Sequence, residues 1–258
     1  MIMYIAVCFT ALGVSFLTLF SGFGLSTMLM PIMALFFPVE IAVAMTAIIH
    51  IANNLFKLGM FWKYTDRDVV IRFAVPGMVA ALAGAWLLTW ISSVRTLFDY
   101  QLGGHVFHIT FVKIVIGILM IVFALFELVP RLEKIQFERK FLPIGGLISG
   151  FLGGLSGQQG AMRSAFLSKT GLTKEAFIAT GIVIAVLIDI TRISVYAVYF
   201  QNRLIASNWL LIVSAIFAAV IGALVGAKFM KRITLKTVQY IVGVMLIILG
   251  IFMCAGVI

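Results

Sequence analysis

Apolar residues run along this chain in long blocks separated by short polar stretches. The blocks cover about 3–20, 25–37, 39–61, 69–91 and 111–129. A polar stretch, PRLEKIQFERK, follows from Pro130 to Lys140. Further blocks then cover about 142–155, 161–169, 174–200, 207–227 and 235–257. The longer blocks match the roughly 18–25 residues that a helix needs to cross a hydrocarbon layer of about 30 Å. Barrel strands would show as alternating segments of about ten residues. Ile114 to Phe126 instead carries no polar side chain at all. The pattern predicts an all-α integral membrane protein with about 8–10 membrane segments, some of them short enough to be broken or re-entrant.

The two halves of the pattern repeat. FLTLFSG at 16–22 aligns with FLGGLSG at 151–157, and the same offset carries Glu40 onto Glu175, Lys57 onto Arg192 and Tyr64 onto Tyr199. A slightly larger offset brings AALAGA at 80–85 onto AAVIGA at 218–223. We read a first transmembrane repeat at 1–129, a cytoplasmic linker at 130–141 and a second repeat at 142–258. Such duplications are common in secondary transporters.

Composition agrees with the membrane assignment: 63% of residues are hydrophobic and 11% charged, against about 25% charged in soluble domains. The net charge of +10 does not indicate nucleic acid, because the basic residues sit in short loops. Lys63 and Arg67 follow the third block. Arg131, Lys134, Arg139 and Lys140 occupy the linker, and Lys169 and Lys174 flank the turn before 174. Lys228, Lys231, Arg232 and Lys236 lie before the last block. The other connections hold little beyond Arg95, Lys113 and Arg203. The positive-inside rule places the rich loops in the cytoplasm, both termini outside, and an odd number of passes in each repeat. The repeats are then inverted. MIMYIAVCF lacks a basic n-region, so no cleavable signal peptide is expected. The expected location is the cell membrane, in a bacterium the inner one.

Each repeat interrupts its apolar run at a Ser-Gly pair: Ser21-Gly22-Phe23-Gly24 and Ser156-Gly157-Gln158-Gln159-Gly160. Non-helical backbone at membrane depth is tolerated where it is buried in protein or lines a wet cavity. Two breaks at equivalent points of inverted repeats point to a midplane site. The helix start after each break offers free N–H groups and a positive dipole end, which favour an anion. Arg163 falls in the first turn after the second break, where its guanidinium can grip an oxyanion; its counterpart is Met28. Alternatively, the glycines serve close helix packing and Arg163 snorkels to an interface.

His50, Asn53, Asn54 and Lys57 share one helical face, as do Asp189 and Arg192. The repeat register pairs Asn54 with Asp189, which suggests a shared cavity. Asp189 either neutralises a neighbouring cation (Arg192, Arg163 or Lys57) or exchanges protons to couple transport, and His50 is either a structural donor or a proton carrier. Glu40 and Glu175 read as helix-start carboxylates. His105 and His108, in GGHVFHIT, read as loop histidines. Cys8 and Cys254 read as small buried hydrophobes rather than a disulfide or metal pair. Phosphate-loop, HExxH, nucleophile-elbow, voltage-sensor and potassium-filter patterns are all missing from the sequence.

The paired stretches SGFGLSTMLMPIMALFFPVEIAVAMTAII and LGGLSGQQGAMRSAFLSKTGLTKEAFIATGIVI, each followed by a small-residue helix (VPGMVAALAGAWL and SAIFAAVIGALVGAKF), resemble the sulfite exporter TauE/SafE family of membrane permeases. The resemblance covers nearly the whole chain. It implies secondary transport of small anions, chiefly sulfite, sulfonates and related sulfur compounds. The chain departs from the family's run of consecutive glycines after the break, having Gln158-Gln159-Gly160 in one repeat and only Gly22 and Gly24 in the other.

The substrate-binding candidates are therefore Ser21, Gly22, Gly24, Asn53, Asn54, Lys57, Ser156, Gly157, Gln158, Gln159, Arg163 and Arg192, with Asp189 and His50 as coupling candidates. No cofactor, resident metal, catalytic residue or nucleic-acid partner is expected. The expected partners are a small anion and the lipid bilayer, and a homo-oligomer is compatible with the pattern. A carrier of a carboxylate or metal ion, an anion channel and an integral membrane enzyme are the competing readings. A cysteine placed in the 130–140 linker is expected to react with impermeant thiol reagents only from the cytoplasmic face; labelling from outside would overturn the topology.

Overall fold

A computed structural model describes residues 1–18, 24–94, 96–129, 136–200, 203–229 and 235–257. Its helices are α1 (Ile2–Thr18), α2 (Leu25–Ala34), α3 (Val39–Phe61), α4 (Arg67–Ser92), α5 (Phe111–Leu128), α6 (Leu142–Ser156), α7 (Gly160–Leu167), α8 (Lys174–Tyr199), α9 (Arg203–Ser207), α10 (Trp209–Phe229) and α11 (Leu235–Cys254). The fold is all-α apart from one hairpin, β1 (Phe98–Leu102) paired with β2 (His105–Ile109). Among the described residues 4 helices are long and apolar enough to cross a membrane: Val39–Tyr64, Arg67–Ser92, Lys174–Tyr199 and Trp209–Gly226. Along α4, Ile71, Val75, Val79, Leu82, Trp86 and Trp90 form one exposed apolar stripe. A stripe of that length suits lipid rather than water.

Local chemistry sets the helix boundaries. Asp66 caps α4 by accepting from the Val69 N–H at 3.0 Å, Thr110 caps α5, and Thr173 caps α8 by accepting from Ala176 N–H at 3.2 Å. Glu40 and Glu175 lie in the first turns of α3 and α8, as expected of helix-start carboxylates. Helix α6 ends at Gly157, whose φ of 79° is left-handed and whose N–H still reaches the Gly153 carbonyl at 2.9 Å. A residue with a Cβ is strained in that conformation, so the second break depends on glycine.

The hairpin corrects the reading of His105 and His108 as loop residues: both lie in β2. Gly103 and Gly104 supply a two-residue turn with φ of 59° and 82°, the geometry that closes tight hairpins. Tyr100 stacks on Phe107 and its hydroxyl donates to the Ala255 carbonyl at 2.6 Å, tying the hairpin to the end of α11. His108 Nδ1 lies 2.7 Å from the exposed Asp99 carboxylate. The two cysteines are half-buried and unpaired by disulfide.

Helices from the two halves pack on each other reciprocally. Helix α1 lies against α10 and α4 against α6, while α3 meets α8 and α5 meets α11. The α4–α6 seam is built of glycine. A Cβ on Gly146 would strike the Phe73 carbonyl oxygen, one on Gly150 the Gly77 carbonyl, and one on Gly154 the Ala81 carbonyl. On the other helix, Gly84 faces the Phe151 carbonyl in the same way. Small residues of this kind let backbones approach within reach of weak Cα–H···O contacts. Among the described residues, the connection before α4 and the segment before α6 meet. Arg139 pairs with Asp68 at 2.9 Å and Asp66 at 3.8 Å, and Phe137 stacks on Phe166 near the end of α7. Arg95, Arg131, Lys134, Lys231 and Arg232 lie outside the described residues.

The seam yields a paired expectation for thermal unfolding in detergent. Gly150→Ala places a methyl against backbone and should lower stability by about 1–3 kcal/mol. Gly13→Ala, in a helix with open space beside it, should be neutral or stabilising by up to about 1 kcal/mol.

Candidate functional site

The two helix starts that follow the breaks are built alike. In α2 the first intrahelical bond runs from the Met28 N–H to the Gly24 carbonyl at 3.0 Å, and in α7 from the Arg163 N–H to the Gln159 carbonyl at 3.1 Å. The three N–H groups ahead of each bond have no intrahelical acceptor. Gly24, with φ of 121°, sets the first start. Ser21 and Gly22 lie outside the described residues.

Asp189 is the hub of the second half. It is fully buried on α8 and takes hydrogen bonds from three directions. Arg192, one turn on, donates from Nε to Oδ1 at 2.9 Å and places Nη2 2.8 Å from the same oxygen. Gln159, in the break, donates from Nε2 to Oδ1 at 3.2 Å. His50, across on α3, lies with Nδ1 2.6 Å from Oδ2. With the Nδ1–H donating to the carboxylate, Nε2 is left to accept from the Asn54 amide, 3.3 Å away. Gln159 also accepts from Arg163 Nη1 at 3.3 Å through its carbonyl oxygen. One amide thus links Arg163 to Asp189. Ser149 donates to the Gln159 main-chain carbonyl at 2.9 Å, which fixes the break against α6.

The structure brings together His50, Asn54, Gln159, Arg163, Asp189 and Arg192. Of the cations considered for Asp189, Arg192 is the direct partner and Arg163 reaches it through Gln159. Lys57 is buried on α3 but has no ion-pair partner among the described residues. Asn53 accepts from Ser15 of α1 at 3.2 Å and is turned to that contact. Ser156 bonds back to the Leu152 carbonyl at 3.0 Å, as a helix-end serine does. Arg163 is buried, with its Nε 3.5 Å from where a Cβ on Gly181 would lie, so it does not snorkel to an interface.

Sequence reasoning missed several members. Ser26 in the first turn of α2 and Ser149 on α6 are both buried. Tyr196, one turn beyond Arg192, donates its hydroxyl to the Gly154 carbonyl. Tyr196 shares the Asp189–Arg192 helical face, and that spacing was the available signal. Ser26 had none, since its counterpart in the second repeat is Ala161.

Buried ionised side chains make the charge balance plain. Lys57, Arg163 and Arg192 are buried, and Asp189 is the one buried carboxylate among the described residues. No group of three or more metal-ligating side chains occurs among the described residues. The fold and this centre define a multi-pass helical membrane protein with a cationic interior. A family model, Sulfite exporter TauE/SafE, matches residues 7–253, and the chain belongs to that family. The family is one of membrane permeases, so the protein is a membrane transporter rather than an enzyme. No curated protein and no solved structure matches the chain.

Removing one member of a buried charge pair leaves the other uncompensated, at about 3–5 kcal/mol. Asp189→Asn should therefore lower stability by about that amount, read as a fall in thermal midpoint in detergent. A midpoint within a degree or so of the parent would mean that Asp189 does not hold the centre together.

Proposed function

We propose that the protein is a secondary permease that moves a small anion by alternating access, the anion being sulfite, an organosulfonate or a related sulfur compound. One observation carries this reading: among the described residues Lys57, Arg163 and Arg192 are buried, and Asp189 is the one buried carboxylate. A bare charge at the bilayer centre costs about 2.5–3.5 kcal/mol on insertion scales. Asp189 pairs directly with Arg192, and a solute anion is a natural counter-charge for an interior whose buried charges are mostly positive. A carrier of metal ions would need the opposite surplus.

In this reading the anion binds between the two breaks and the polar face of α3. Arg163, Gln158, Gln159 and Arg192 supply the second half's contacts, and Asn54, Lys57 and the amide nitrogen that Asn53 leaves without a partner supply the first half's. His50 and Asp189, 2.6 Å apart, carry the coupling proton. The reciprocal pairing of α1 with α10 and α4 with α6 supports two inverted repeats at 1–129 and 142–258, joined at 130–141. The meeting of the stretch that carries Lys63 and Arg67 with the segment that carries Arg139 and Lys140 supports a cytoplasmic linker and external termini. The cell membrane is the proposed location.

Proteoliposome flux with sulfite, sulfate, methanesulfonate, acetate and chloride tests the reading. Saturable flux of one anion class, with competition inside that class, is expected. Non-saturating flux without competition would replace the carrier with a channel. Arg163→Ala should remain folded in detergent and lose anion affinity by about ten-fold or more, the worth of a charge-assisted hydrogen bond. Unchanged affinity would refute its role.

A further inference from the structure

We infer that Ser26 and Arg192 together grip the oxygens of the anion beside Gly157, so that both halves of the chain contribute to one subsite. This rests on the permease reading and adds to it a residue and a ligand chemistry.

Arg192 donates from Nε to Asp189, its Nη2 lies 2.8 Å from the same oxygen as an ion pair without a hydrogen bond, and Tyr196 lies against the guanidinium. Arg192 Nη1 is buried and has no hydrogen-bond partner. Ser26 is 4% exposed, and its Oγ is buried without a partner as well. These two atoms come from different halves, yet they converge. A methyl group on Gly157 would lie 2.8 Å from Arg192 Nη1 and 3.0 Å from Ser26 Oγ. Both donors therefore close on Gly157 from two sides, at a residue whose left-handed φ already disfavours any side chain. The next residue, Gln158, is 2% exposed, and neither its amide oxygen nor its amide nitrogen has a partner. Buried polar atoms are nearly always hydrogen-bonded, and each unmatched one is costly. Two of them, Arg192 Nη1 and Ser26 Oγ, meet beside Gly157 and mark where a ligand supplies missing acceptors.

The donors select the ligand. A guanidinium nitrogen offers only N–H, and the start of α2 adds the free N–H groups ahead of Met28. With the serine hydroxyl donating too, the complement is a compact centre that bears two or more acceptor oxygens, as sulfite and sulfonate headgroups do. Chloride has no separate oxygens to share among donors from opposite sides, and a cation has no place there.

The experiment is calorimetric titration of the purified full-length protein with sulfite, methanesulfonate and chloride, beside the Ser26→Ala and Ser26→Thr variants. Ser26→Ala should weaken oxyanion binding by about ten-fold or more. Its unliganded thermal midpoint should stay at the parent value, because Ser26 Oγ bonds no other protein group. Ser26→Thr, which keeps the hydroxyl, should recover most of the affinity. Chloride should bind far more weakly than either oxyanion. Parent-like affinity in Ser26→Ala, or a lowered unliganded midpoint with unchanged affinity, would overturn the subsite while leaving the permease reading intact. A parent protein that binds none of the anions, and moves none in proteoliposomes, would remove both.

Discussion

A buried carboxylate answered by an arginine, a histidine and a glutamine, deep in an apolar chain, is the constraint on which the rest of this structure turns. Asp189 cannot sit unpaired in hydrocarbon, and its neighbours come from every layer that surrounds it. Arg192 follows on the same helix, Gln159 comes from the break, and His50 comes from the facing helix of the first half. To satisfy one side chain, the fold must bring α3, α8 and the second break together. In a buried network of this kind the members strengthen one another, and leaving one unsatisfied is costly. Arg163 joins through Gln159 rather than directly, so any event that turns that amide is felt at both the arginine and the carboxylate.

Much of the architecture was legible in the sequence because it depends on length and on punctuation. The apolar blocks at 69–91 and 174–200 matched α4 and α8 to within a residue or two. Gly157 announced the second break, because a left-handed turn needs a residue without a Cβ. The shared faces of α3 and α8 followed from helical periodicity, and His50 of one meets Asp189 of the other. The hairpin at 98–109 was less visible. Its strands are short, and the Gly-Gly turn was read as a loop signal instead of a hairpin closure.

The fine partnering could not be read. Which cation would answer Asp189 depends on three-dimensional reach, and Arg192, Arg163 and Lys57 were equivalent on paper. Asn53 shares a face with Asn54, yet it turns to Ser15 while Asn54 stays with His50. A rotation of a fraction of a turn decides such matters, and periodicity does not resolve it. Ser26 was hidden for a different reason. Its place is set by the encounter of two segments more than a hundred residues apart, and the repeat offered only alanine at the matching position.

The glycine seam between α4 and α6 has a mechanical consequence. Where a carbonyl oxygen meets a bare Cα, no side chain can swing aside to let the partners slide. Each carbonyl along the line would have to climb over the next residue's bulk before finding another notch. The two helices are interlocked like a zip and must travel as one strut. Opening the interior to either side of the bilayer has to be accommodated at looser contacts elsewhere in the bundle.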